Sequence, residues 1–143
     1  MFVLRFDLRI PPFVETLTHG DQYREFLKMV EWADDKGFAA VVLSEHHGTE
    51  DGYMNSPLLL AGSVLGATDN LFCSVSALLL PLHDQLRIAE EIATIDLIAP
   101  GRFNVVIGIG YRESEFEMFA KNRKTRGRDT EEGIQTILTA LKG

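Results

Sequence analysis

Four short apolar runs, each followed by a stretch with helical spacing, constrain this chain more than any other feature. Phe2–Ile10, Phe38–Leu43, Leu71–Leu80 and Phe103–Ile109 are rich in strand-forming residues and end at Pro, Gly or polar breaks. Phe38–Leu43 is continuously apolar, the pattern of a strand buried on both faces. Between the runs lie helical patterns. Asp21–Lys36 puts Tyr23, Phe26, Leu27, Val30 and Ala33 on one face, with Gly37 as its C′ residue. Ser56-Pro57 makes an N-cap and N1 pair for a second helix, apolar nearly all round and so expected to be covered on both sides. Asp84 caps a third, lined by Ile88, Ile92, Ile95 and Ala99 and broken by Pro100-Gly101. A polar connector with Glu113, Glu115 and Glu117 leads to Asp129-Thr130-Glu131-Glu132. That stretch opens a fourth helix whose buried stripe is Ile134, Ile137, Leu138 and Leu141.

The order β-α-β-α-β-α-β-α predicts a parallel sheet with helices packed outside it. Residues 1–143 suffice for one domain and not for two. Periodicity leaves two architectures open, an open parallel sheet or part of a barrel. In both, ligands bind at the C-terminal ends of the strands.

Composition narrows the function. The formal charge is -7, which disfavours nucleic acid as a partner. Met1–Pro12 carries two arginines within its apolar stretch, so it is neither signal peptide nor membrane span, and Leu58–Leu65 is too short to span. A cytoplasmic protein is expected. Cys73, the single cysteine, sits in an apolar run and reads as a buried, inert thiol.

The strand ends hold the residues able to do chemistry. Ser44-Glu45-His46-His47 closes the second strand. Histidine moves protons near neutral pH, and an adjacent carboxylate orients it. A zinc site built on His46, His47 and a carboxylate is the competing reading. Neighbours on an extended chain point to opposite sides and no His-Glu-x-x-His helix is present, so no metal is expected. His19 and His83 read as solvated loop histidines. Gly108-Ile109-Gly110-Tyr111 lacks the third glycine of a dinucleotide fingerprint. Lys121, Arg123, Lys124, Arg126 and Arg128 form a basic run, read as a solvated loop or as an anion site for a cofactor phosphate or a polyglutamate tail.

Four linked segments resemble the bacterial luciferase-like monooxygenases. They are Val41-Val42-Leu43-Ser44-Glu45-His46-His47-Gly48, then Ala77-Leu78-Leu79-Leu80-Pro81, then Arg87–Asp96, then Pro100-Gly101-Arg102-Phe103-Asn104 running into the glycines. Pro11-Pro12 also matches. The resemblance implies a (β/α)8 TIM barrel and an oxidoreductase or monooxygenase that uses reduced FMN with oxygen, or the deazaflavin coenzyme F420, on a small organic substrate. By resemblance His46 is the active-site acid/base. Ser76-Ala77 falls where the family has a non-prolyl cis peptide beneath the ring. Glu45, His47, Gly108, Gly110 and Tyr111 join them as cofactor-contacting positions. Luciferase itself has a Cys-Arg pair at Gly108-Ile109. That departure removes a phosphate-contacting arginine and argues against light emission.

A barrel of this type takes about 250 residues, so the chain is expected to be the N-terminal half-barrel, four βα units of eight. The family's main phosphate site lies in the other half. Four strands leave sheet edges and an inner face open, so the half is either part of a longer enzyme or a natural half-barrel covered by a partner, most simply in a homodimer. The alternative function is a non-catalytic half-barrel module that associates with a partner and binds no cofactor tightly.

Overall fold

A computed structural model of the chain describes residues 1–142. Four strands, β1 (Val3–Phe6), β2 (Ala40–Leu43), β3 (Phe72–Leu79) and β4 (Phe103–Gly108), form one parallel sheet in the order β1-β2-β3-β4. Three crossover helices join them: α1 (His19–Asp35), α2 (Pro57–Gly66) and α3 (Gln85–Ile98). After β4 come α4 (Glu113–Met118) and α5 (Arg126–Ala140). A doubly wound sheet reverses its strand order at a switch point. This sheet never reverses, as expected of consecutive units of a barrel.

The core lies between the sheet and its helices. Val41 and Leu43 of β2, with Cys73 and Val75 of β3, are fully buried against Phe26, Val30 and Ala33 of α1 and Ala61, Val64 and Leu65 of α2. Each fully buried large apolar side chain there contributes roughly 1.5–3 kcal/mol. The Cys73 thiol is pushed up to about 12 by burial, consistent with an inert thiol. The opposite sheet face is only half covered. The expectation of two-sided burial for β2 therefore fails: Ala40 and Val42 are half-buried, while Val3 of β1 and Val106 of β4 are exposed.

Several boundaries differ from the sequence reading for local reasons. β1 stops at Phe6, not Ile10. The Asp7 carbonyl accepts from Met54 N–H, and Leu8 turns into the left-handed region (φ 55) to bury its side chain. Thr18 starts α1 two residues early, its hydroxyl oxygen accepting from Asp21 N–H. Asp84 caps α3 as expected, accepting from Arg87 N–H at 2.9 Å. Ser56 precedes α2 without capping it, its hydroxyl donating instead to Asn55. The polar connector after β4 contains α4. A 3-10 turn at Arg123–Thr125, capped by Asn122, starts α5 at Arg126 instead of Asp129. On α5 Ile137 is buried, but Leu138 and Leu141 are exposed; α2 likewise leaves Leu59 exposed, so neither helix is covered on its outer side.

Candidate active site

The polar residues of the strand ends converge beyond the C-terminal edge of the sheet. β2 delivers Ser44–His47, and the chain's alternation sends the two histidines to different carboxylates. His46 Nδ1 lies 2.8 Å from Glu115 Oε1. That same oxygen accepts from His47 N–H at 3.0 Å. A carboxylate oxygen already accepting a backbone N–H takes the ring as a second donor, so the His46 proton sits on Nδ1 and Nε2 is left free. Glu115 reaches this position because α4 packs Phe116 behind it, and both are fully buried. Its Oε2 is buried and has no partner among the described residues.

His47 turns the other way. Its Nε2 lies 2.8 Å from Glu45 Oε1, and His83 Nε2 lies 2.6 Å from the same oxygen. Glu45 Oε2 accepts from Leu79 N–H at 2.5 Å. Burial alone would raise the Glu45 carboxyl, but the hydrogen bonds from His47 and His83, the charge of His83 and the Leu79 N–H outweigh it and hold the group down at about 2. His83 is therefore a member of a buried cluster and not a solvated loop histidine. His19 is exposed, as expected.

His46 lines an open cleft of about 390 Å³ together with Arg5, Ser44, Tyr53, Ser76, Ala77 and Leu79, and with Gly108–Tyr111 and Arg126 across from them. A contiguous lobe of about 830 Å³ shares His46, Tyr53 and Tyr111 and adds Arg9, Asp51 and Arg112. Tyr53 and Tyr111 stand edge-on to the His46 ring, at 4.8 and 5.7 Å between centroids, and Tyr53 is anchored by Ser44 at 2.6 Å. The Ser76-Ala77 peptide is cis, at the register shift between β3 and β4.

The expected site residues divide accordingly. His46, Ser76, Ala77, Gly108, Gly110 and Tyr111 meet at the cleft, and Glu45 forms part of its wall. His47 does not line it. The glycines have packing reasons of their own. A Cβ on Gly108 would meet the Ala77 Cβ at 2.9 Å, and Gly110 (φ +70) sits against the Phe116 ring. Within the basic run, Arg123 pairs with Glu113 and Arg128 with Asp129 and Glu132. Arg126 alone of the run reaches the cleft, and its Nε is buried with no partner among the described residues. Sequence reasoning missed Glu115, Tyr53 and His83. For His83 a signal existed, since it lies in the short connection between the third strand and the Asp84 cap of the next helix.

The alpha chain of alkanal monooxygenase from Photorhabdus laumondii is 31% identical over 109 residues, 76% of this chain and 29% of that protein. A protein of Sinorhizobium fredii is 28% identical over 83% of this chain and 34% of its own length. The chain thus spans about a third of the curated relatives it matches. Among solved structures, monooxygenase RslO1 of Streptomyces bottropensis superposes with a TM-score of 0.86 at 24% identity, covering 96% of this chain and 42% of that one. The oxygenating constituent of 3,6-diketocamphane monooxygenase of Pseudomonas putida, in complex with FMN, gives 0.82 at 22%, covering 95% and 38%. An F420-dependent secondary alcohol dehydrogenase gives 0.71 at 18%, covering 95% and 39%. These likenesses show the fold, four βα units of the luciferase-like TIM-barrel type. The family profile described as luciferase-like monooxygenase matches residues 4–143, and the chain belongs to that family.

Proposed function

We propose that the cleft binds the ring system of a flavin-type cofactor, reduced FMN in the first place, and that His46 is the acid/base of an oxidoreductase acting on a small organic substrate. The observation that carries this reading is the His46–Glu115 pair. A fully buried carboxylate fixes the ring through Nδ1 and leaves Nε2 free at the cleft.

The lining suits such a cofactor. Ala77, Leu79 and Ile109 offer apolar surface for a flat heteroaromatic ring, and the Arg126 guanidinium at the cleft offers a positive charge to an anionic group. The cofactor supplies the redox chemistry when bound. The chain's own residues do the rest. Glu115 holds the His46 tautomer, Tyr53 and Tyr111 limit the ring's rotation and shield it from water, and His46 Nε2 takes or gives the proton. Ser76 and Ala77 form the surface under the ring, and Gly108 and Gly110 let β4 close against them. The uncovered inner sheet face, with Val3 and Val106 exposed, supports association through that face, in the simplest case with a second copy of the chain.

Titrating FMN into the purified chain tests the proposal. Saturable quenching of flavin fluorescence is expected, weakened by Arg126→Ala and retained in His46→Ala. Absence of saturable quenching contradicts it in favour of a module that binds no cofactor. Saturation with F420 and not with FMN assigns the cleft to the deazaflavin.

A further inference from the structure

We propose that Glu45, His47 and His83 form a binding site for one divalent transition-metal ion of the zinc type. The site lies behind the cleft and is distinct from the His46–Glu115 pair. His46 and His47, neighbours on an extended segment, face different carboxylates and do not share an ion. What the sequence could not supply is the third ligand, brought from the turn after β3.

The donor atoms of the three side chains lie within 4.8 Å of one another, and both imidazole Nε2 atoms already converge on Glu45 Oε1 at 2.8 and 2.6 Å. Zinc bonds of about 2.0–2.2 Å in a tetrahedron place ligand atoms about 3.3 Å apart. Each ring therefore has to draw back from the carboxylate by roughly half an ångström. Two imidazoles and one carboxylate suit zinc or cobalt and not calcium or magnesium. Support behind the ligands is present, because the Leu79 N–H holds Glu45 Oε2 and so aims Oε1 at the rings. Access is present as well. The Glu45 side chain is fully buried, but that of His83 is 22% exposed, which opens one side for the ion and a water ligand. The Phe119 ring covers His47 at 4.6 Å.

Without an ion both rings donate Nε2–H to the carboxylate. With one, each ring presents the Nε2 lone pair to the metal and carries its proton on Nδ1. Lys121 Nζ, 3.4 Å from the His83 carbonyl oxygen, opposes the ion, but its side chain is exposed and free to move away.

Cobalt(II) and zinc(II) titrations of the whole chain test the site. One equivalent of cobalt is expected to give the visible bands of a four-coordinate ion, and zinc to displace it and raise Tm by a few degrees or more. His47→Ala and His83→Ala should abolish both effects, while His46→Ala and His19→Ala should keep them. Where a variant fails to fold, the ring signals of the wild-type histidines decide: zinc should move those of His47 and His83 and leave His46 and His19 in place. The proposal is overturned by the absence of bands and of a Tm shift at about millimolar metal. It is equally overturned by binding that survives His83→Ala or disappears in His46→Ala, or by unmoved His47 and His83 signals.

Discussion

The two ends of the sheet use charged residues differently. At the N-terminal end they tie down backbone. The Asp34 carboxylate accepts from the N–H groups of Asp69, Asn70 and Leu71 at 2.7, 3.0 and 2.8 Å. The Arg102 guanidinium donates to the Leu65 and Leu71 carbonyls at 3.1 and 3.2 Å. Together they close the loop between α2 and β3. At the C-terminal end, side chains bond chiefly to side chains: His46 to Glu115, His47 and His83 to Glu45, Ser44 to Tyr53. The first arrangement satisfies backbone groups that would otherwise be orphaned. The second holds two carboxylates out of water beside proton-carrying rings, which is a cost in stability met by the fold and a condition for chemistry.

The two ends differ most at Glu45. Glu45→Ala strands the two imidazole donors and the Leu79 N–H, so unfolding in urea should show a loss of about 4 kcal/mol. Acid should act at the same place. The Glu45 carboxyl has an ordinary value of 4.5 and is held at about 2 in the folded chain. As pH falls, the unfolded chain takes up its proton first, and the stability contributed by this group disappears between about pH 4.5 and 2. The loss amounts to about 3 kcal/mol. In Glu45→Gln that segment of the stability-pH curve should flatten. His46→Ala acts on the chemistry first. On the proposed function, turnover of the enzyme with reduced FMN and oxygen should fall about 100-fold or more, equivalent to roughly 2.7 kcal/mol in the barrier, with stability lowered by about 1–3 kcal/mol because the buried Glu115 carboxylate loses its ring donor. Asp34→Ala should act on folding alone, lowering stability by about 2 kcal/mol and leaving the FMN titration unchanged. A shift of that titration in Asp34→Ala would break the division between the ends.

Elements set by local chemistry were legible in the sequence. The four strands, the Asp84 cap, the break at Pro100-Gly101 and the break after α1 at Gly37 all occur where the pattern puts them. Boundaries that depend on distant partners were not. β1 ends early because the Asp7 carbonyl bonds Met54, 47 residues further on (54 − 7). The exposure of Leu59, Leu138 and Leu141 depends on what lies outside the helices, which periodicity does not encode. The site follows the same rule. His46 is readable because it stands at a strand end, whereas Glu115, 69 positions away, is brought in by the packing of α4, and His83, 38 positions from Glu45, by the turn after β3.

The division between the two ends is tested most directly by recording amide NMR spectra of the labelled chain while FMN is added. Shifts should concentrate at residues 44–47, 76–79 and 108–112 and at Arg126, with residues 34, 68–71 and 101–102 unmoved. Perturbation centred on the N-terminal end of the sheet, or none at saturating FMN, would contradict the assignment of the cleft.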